Sequence, residues 1–273
     1  MVHMVELTKI TSRDNERLKS VRKIRDGKTA GMIFIEGVRL AEEALRSNIS
    51  LEDCFVSEEF ARVERKKELL DELLRREISV TEVTESIFHS ISETINPQGI
   101  VLIAQRPTDT KISIEKNLRG GTPLAVFLYE ISDPSNLGGI LRSAEAAGVA
   151  GVIASRGSAD VFAPKAVRAA MGSSFRLPVW ETADFEEVLT WAADQGLRIT
   201  AADINAKQVY SQIDWQIPRL LVFGSEAHGL SKDVIERIED LTYIPMENSV
   251  ESLNLAVSCG IMLFEAKRQR TAK

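Results

Sequence analysis

The chain has 273 residues, 44% of them hydrophobic and 27% charged, with a mean hydropathy of −0.07, which fits a globular protein of about two domains with cores that need no disulfide or metal staples. No apolar run approaches the roughly 20 residues that span a bilayer, and the polar start carries no secretory signal, so the expectation is a cytoplasmic protein without a membrane partner. The net charge of −6 argues against a protein that coats nucleic acid over its whole surface, but it leaves room for a local basic footprint.

Residues 1–30 carry eight basic and four acidic side chains, a local charge of +4 that leaves −10 elsewhere. Within them 15–28 predicts a basic helix, which suits a polyanion or an ordinary solvated face. GMIFIEG predicts a strand, 38–48 a helix with Leu40, Ala44 and Leu45 on one face, and LEDCFVS a second strand. Residues 58–77 read as one amphipathic helix with a core stripe of Leu69, Leu70, Leu73 and Leu74. ISVTEVT and 99–105 add strands, making a small α/β unit that closes near Pro107.

After Gly120-Gly121, the apolar run 123–131 has the character of a strand buried in a parallel sheet. Helices and strands then alternate: ILRSAEAAG, VAGVIAS, a basic helix at PKAVRAAMG, FRLPVW, ADFEEVLTWAADQG, RITAADI, RLLVFG, KDVIERIED, LTYIPM and a last helix from about 252 to 269. Such alternation predicts a doubly wound α/β domain, whose ligands collect at the carboxyl ends of the strands.

Three loops at such ends carry unusual polar residues. In 133–148, Asn136 suits a helix cap, while Gly138 and Arg142, four apart, share a face on which a phosphate could reach the guanidinium; taken alone, the loop favours the alternative of a capped helix with one surface arginine. In 224–231, Gly224 permits close backbone approach, Glu226 sits at the strand tip, and Ser231 caps the next helix. In 244–260, Ser252 and Asn254 stand at the mouth of a helix with an apolar stripe of Leu253, Ala256, Val257, Gly260, Ile261 and Phe264, expected to be buried; simple capping by Ser249 or Ser252 is the alternative. None of these is a GxGxxG or Walker loop. Cys54, Cys259, His3, His89 and His228 are scattered, so no metal site is expected.

Taken in order, Asn136-x-Gly138-x-x-x-Arg142, then Phe223-Gly224-x-Glu226-x-x-Gly229-Leu230, then Ile244-Pro245-Met246 with Ser252-Leu253-Asn254, the motifs resemble those of the SpoU/TrmH family of S-adenosylmethionine-dependent RNA ribose 2′-O-methyltransferases in the SPOUT superfamily. The resemblance covers about 120–268, and ITSRDNERLKSVRKI, FIEGVRLAEEAL and PQGIVLIAQ are similar to the family's RNA-binding extension, a small α/β domain like certain ribosomal proteins.

This resemblance implies an RNA substrate-binding domain over 1–107, a linker over 108–119 and, over 120–273, a parallel-sheet methyltransferase domain with a deep trefoil knot. It implies S-adenosylmethionine as cofactor, held by Gly224, Ile244, Met246 and Leu253, with Asn136, Arg142, Glu226, Ser252 and Asn254 around the reacting ribose. It also implies a homodimer with Arg142 near the partner subunit. RNA would be gripped by Arg13, Lys19, Arg22, Lys23 and Arg168, with Lys165 and Arg176 as further phosphate contacts. Ribosomal RNA is the favoured partner over transfer RNA. Ser143, Leu255-Ala256 and Met171 depart conservatively from the usual pattern and are expected to bear on RNA choice rather than on catalysis. A guanidinium keeps its proton near neutrality, so Arg142 suits a phosphate clamp and alkoxide stabiliser better than a base, and the proton acceptor stays open. A non-catalytic RNA-binding protein and a dinucleotide-dependent oxidoreductase are the rivals, the second disfavoured by the missing Gly-rich fingerprint.

Overall fold

A computed structural model describes residues 7–63, 66–108, 110–121, 123–248 and 250–271, so His3 and Ser249 lie outside the described residues. The chain forms two compact units, residues 1–107 with 162–175 and residues 108–161 with 176–273.

In the first unit the elements are β1 (Thr8–Ile10), α1 (Glu16–Arg25), β2 (Met32–Glu36), α2 (Val38–Arg46), β3 (Leu51–Ser57), α3 (Glu58–Arg62), α4 (Lys67–Arg75), β4 (Ser79–Val83), α5 (Glu85–Ile91) and β5 (Ile100–Gln105). They build a mixed sheet in the order β1-β4-β3-β5-β2, parallel from β1 to β3 and antiparallel across β5. Phe34, Phe55, Val101 and Ile103 of the sheet pack on Leu18, Val21 and Ile24 of α1 and on Ile87, Phe88 and Ile91 of α5.

The rest of the chain runs α6 (Thr110–Arg119), β6 (Leu124–Leu128), α7 (Pro134–Ala147), β7 (Val152–Ser155), α8 (Pro164–Ala170), α9 (Ser173–Arg176), β8 (Val179–Ala183), α10 (Phe185–Asp194), β9 (Arg198–Ala202), β10 (Gln208–Val209), β11 (Arg219–Phe223), α11 (Lys232–Ile235), β12 (Asp240–Tyr243) and α12 (Leu255–Thr271). Its seven strands form one sheet in the order β10-β12-β9-β11-β6-β7-β8, with every pairing parallel. All five residues of both β6 and β11 are buried, as expected for central strands covered on both faces.

Several sequence expectations are corrected. The helix expected over 58–77 is two helices, α3 and α4, with Leu69, Leu70 and Leu73 buried as expected. The expected linker over 108–119 contains helix α6, whose Ile114 is fully buried in the second unit's core. Residues 162–175, placed by sequence in the methyltransferase domain, group with the first unit. Strand β1 and helix α5 carry too little pattern to be seen: three residues in one case, seven in the other.

The last helix buries a different face from the expected one. Cys259, Met262, Leu263 and Ala266 point inward, whereas Leu253, Val257 and Phe264 are 37%, 50% and 49% exposed. α12 lies against α7, where Gly139 faces Ala256 and Ser143 faces Gly260. A Cβ on Gly139 would stand 3.2 Å from that of Ala256, so the glycine lets two helices approach closely. Two of the departures from the family pattern, Ser143 and Ala256, are therefore packing positions between helices.

Candidate active site

The loops after β6, β11 and β12 lie at the carboxyl edge of the large sheet. Asp133 caps α7 by accepting from the Ser135 amide, with Pro134 in the first turn. The expectation that Asn136 is the cap is thus corrected, and its side chain is free for other work. The preceding loop is locked to the next strand: the Glu130 amide donates to Ser155 Oγ at 2.8 Å and the Ile131 amide to Ser158 Oγ at 3.2 Å. Glu130 is held at φ 56°, a left-handed conformation that costs a non-glycine residue about 1 kcal/mol or more.

Three of the expected site residues, drawn from three loops, form one hydrogen-bonded chain. Glu226 Oε1 accepts from Asn136 Nδ2 at 3.0 Å and from the Asp133 amide at 3.2 Å; its Oε2 accepts from the Ser132 amide at 3.1 Å and the Ser132 hydroxyl at 3.2 Å. Partial burial works to raise the Glu226 pKa, but the bonds from Asn136 and the backbone amides outweigh it and hold the carboxyl below its ordinary value. Asn136, 9% exposed, accepts at Oδ1 from Asn254 Nδ2 at 2.9 Å. Asn254 in turn accepts from the Ala256 and Val257 amides at 3.0 and 3.3 Å, so it, and not Ser252, caps α12 among the described residues.

The remaining two expected catalytic residues stand outside this chain. Arg142 is exposed and its side chain makes no hydrogen bond or ion pair among the described residues. Ser252 is exposed and equally unbonded. At the cofactor positions, Gly224 is buried where Ser225 and Gly229 exchange two backbone hydrogen bonds of 3.1 and 2.9 Å, and any Cβ on it would collide with Gly229. The glycine serves the closure of its own loop. Ile244 and Met246 are half-buried and Leu253 is exposed, all in a stretch outside regular structure. Ile244, Pro245 and Met246 form no hydrogen bond among the described residues, leaving their backbone groups available.

The basic residues expected to grip RNA are largely engaged. Arg22 donates to the Arg13 carbonyl and to Ser90 Oγ, Arg13 to the Ser86 carbonyl, and Lys19 pairs with Glu16 at 2.8 Å. Arg25 ties α1 to the carbonyls of Ser90 and Ser92, so much of the N-terminal charge fastens α1 to α5. Arg168 forms an ion pair with Glu93, though its Nη1 lacks hydrogen-bond geometry. Arg176 pairs with Glu145 at 2.6 Å, and Lys165 is engaged as well. Of the expected set only Lys23 is exposed and unbonded. Sequence reading missed Arg156, exposed and with its side chain unbonded among the described residues, just beyond β7 between Ser155 and Ser158, which brace the loop before α7. Its strand-end position was the available signal.

An exposed guanidinium on α7 without a carboxylate partner among the described residues suits a phosphate-bearing substrate, and free backbone beside apolar side chains suits a nucleoside cofactor. On a parallel sheet these are the marks of an α/β group-transfer enzyme. The chain belongs to the SpoU rRNA methylase family, whose profile matches residues 123–264, and residues 34–110 match the RNA 2′-O ribose methyltransferase substrate-binding family. It is 32% identical to an uncharacterised tRNA/rRNA methyltransferase of Synechocystis, over 98% of this chain and 96% of the relative. It is 26% identical to the 23S rRNA (guanosine(2553)-2′-O)-methyltransferase RlmP of Bacillus subtilis, over 96% and 100%. The structure of an AdoMet-bound rRNA methyltransferase from Sinorhizobium meliloti superposes with a TM-score of 0.83 at 28% identity, covering 96% of this chain and 98% of that one. The SpoU methyltransferase AviRb from Streptomyces viridochromogenes with AdoMet gives 0.83 at 27%, covering 94% and 99%. This chain is an S-adenosylmethionine-dependent RNA ribose 2′-O-methyltransferase.

Proposed function

We propose that the chain methylates a ribose 2′-hydroxyl of ribosomal RNA, working as a cytoplasmic homodimer whose methyltransferase domain carries the family's trefoil knot. The observation that carries the site assignment is the contrast between Arg142, left unpaired, and the Glu226–Asn136–Asn254 chain beside it in sequence order, in which every polar atom is used. Ribosomal RNA is favoured by the relatives named as rRNA methyltransferases. Two buried, unpaired thiols suit a reducing compartment, and no helix among the described residues is long and apolar enough to cross a membrane.

The residues fit the cofactor: Ile244, Met246 and Leu253 offer apolar surface, and the unpaired backbone at 244–246 offers donors and acceptors for a base edge. When bound, S-adenosylmethionine supplies a methyl group on a positively charged sulfur. Arg142 clamps a phosphate flanking the target ribose and stabilises negative charge as it grows on the 2′-oxygen. Glu226 is not the base in this reading: its oxygens already accept four hydrogen bonds and its pKa is lowered, so it holds the loop before α7 in place through Ser132, Asp133 and Asn136. Asn254 then fixes the start of α12 against α7. Much of the rate would come from this positioning.

The homodimer reading is supported by Val257, Ile261 and Phe264 of α12, which leave an apolar helix face open to a second copy. The knot reading is supported by membership of the SpoU family and by the parallel sheet it shares with the matched structures.

The test is methyl transfer from labelled S-adenosylmethionine to separate pools of unmodified ribosomal and transfer RNA, followed by alkaline hydrolysis, which spares bonds next to a 2′-O-methylated ribose. Label in alkali-resistant dinucleotides from ribosomal RNA, lost in Arg142→Ala, is expected. Label only in transfer RNA, or in neither pool, would overturn the ribosomal RNA assignment.

A further inference from the structure

In the first unit a buried carboxylate is devoted to a surface loop. Glu36, at the end of β2, is 6% exposed; its Oε2 accepts from the Glu93 amide at 2.8 Å and the Thr94 amide at 3.3 Å, and its Oε1 accepts from the Thr94 hydroxyl. The next residue is Ile95, 90% exposed and the most exposed large apolar side chain among the described residues. Burying a charged group to hold a loop rigid while an isoleucine stands in water is costly on both counts, and it suits a pre-organised apolar wedge.

The charges around the loop balance, but one cation among them is not engaged. Gln98 Oε1 accepts from the Val38 amide at 2.8 Å, fixing the loop to the first turn of α2, where Arg39 is exposed and unbonded among the described residues. The acids further along α2 are paired, Glu43 and Glu42 with Arg46 at 2.9 and 3.8 Å. Glu93 on the loop is paired with Arg168. Lys66 donates to the Gln98 carbonyl at 3.4 Å and lies over the Phe60 ring. Glu42 and Glu43 thus share one cation and Glu93 has another, while the Arg39 side chain has no partner among the described residues.

We infer that the loop 93–98, with Ile95 at its tip and Arg39 beside it, is the point at which this unit takes hold of RNA, Ile95 packing on the face of an unstacked base and Arg39 pairing with a neighbouring phosphate. Single-stranded, splayed bases are how proteins recognise RNA most specifically, and apolar side chains packed on base faces are sequence-tolerant anchors. Glu36 is the positioning residue behind them. This inference rests on the proposed function, since it deepens the substrate side of the same reaction, and the substrate-binding family match spans all of Glu36, Arg39 and Ile95.

The experiment compares Ile95→Ala, Arg39→Ala and wild type in filter binding to transcribed large-subunit ribosomal RNA, with salt series, methyl-transfer kinetics and calorimetry on S-adenosylmethionine. Each variant should weaken RNA binding about tenfold and raise KM for RNA, with kcat, cofactor affinity and Tm unchanged. Arg39→Ala should also lower the salt slope by about one, whereas Ile95→Ala should leave it alone. RNA binding equal to wild type in both variants would overturn the inference, as would an Ile95→Ala effect confined to oligomeric mass. A wild-type chain that binds RNA and transfers no methyl group would sink the proposed function instead, with the loop still judged by the same binding ratios.

Discussion

Asn136 and Asn254, 118 residues apart, join the two helices behind the site through one hydrogen bond of 2.9 Å between Asn254 Nδ2 and Asn136 Oδ1. Both amides are used at both ends, because Asn136 also donates to Glu226 and Asn254 also caps α12. The pair therefore transmits position, and the two functions of Asn254 can be separated. Asn254→Asp keeps an acceptor for the Ala256 amide but loses the donor facing Asn136. It should retain most of the stability yet lose about 10²-fold in kcat/KM, the scale of a small misplacement. Asn254→Ala should lose the same activity and about 1 kcal/mol of stability, the usual value of a cap. Calorimetry beside methyl-transfer kinetics distinguishes the two.

Arg142 presents the opposite case, since no bond holds it. Arg142→Ala should leave Tm within about a degree of wild type and reduce kcat by about 10²–10³-fold, the range for loss of one charge-stabilising donor. Arg142→Lys should recover only part, because an ammonium cannot match a phosphate bidentately. A Tm drop of several degrees in Arg142→Ala would show a structural role instead.

Gly224 should be intolerant for a steric reason. A Cβ there would meet the backbone of Gly229 and Leu230, which cannot yield without breaking the paired bonds between Ser225 and Gly229. Gly224→Ala is expected to weaken S-adenosylmethionine binding at least about tenfold by opening the loop that ends in Ser231, the cap of α11. Titration calorimetry with the cofactor checks it, and the Ser231→Ala variant, which removes a cap alone, should bind normally.

The parallel sheet and the three loops were legible in sequence because central strands such as β6 and β11 are continuous apolar runs and the loops hold distinctive polar spacing. What escaped was anything decided by tertiary partners. Asn136 has the look of a cap, yet Asp133 takes that place because Pro134 suits the first turn. The stripe on α12 is equally apolar on two sides, so periodicity could not say that Cys259, Met262, Leu263 and Ala266 face inward. The basic residues of α1 announce charge, but only the fold reveals that Arg22 and Arg25 are used to fasten α5.

Asp240 gives a pH-dependent prediction. It accepts from Arg198 and from the nearly fully buried Arg219, both at 2.6 Å. The Arg198 bond, opposed by burial and helped by Arg219, holds its pKa below the ordinary carboxylate value. A depressed folded-state pKa means this contribution is fully present above the unfolded value of about 4 and is lost as pH falls through the lower folded value. Asp240→Asn leaves the Arg219 charge buried without a counter-ion and should cost about 3–5 kcal/mol at pH 7. In denaturant titrations from pH 7 to pH 3, wild type should lose more stability than the variant in the acid part of that range. A constant difference between them would mean the carboxylate does not titrate with unfolding.

The exposed stripe of α12 predicts an interface that can be opened without touching the inner face of the helix. Val257 and Phe264 are each about half exposed, while the buried contacts with α7 run through Ala256 and Gly260 on another side. A contiguous apolar stripe of this kind is unusual on a monomer. The double variant Val257→Glu with Phe264→Glu should therefore sediment at half the wild-type mass at micromolar concentration while keeping its far-UV circular dichroism. Two carboxylates per chain on a shared face would be desolvated and brought near their copies, a cost of several kcal/mol that a dimer of ordinary size cannot offset. If wild type sediments as a monomer, or the variant keeps the wild-type mass, this face is not where two copies meet.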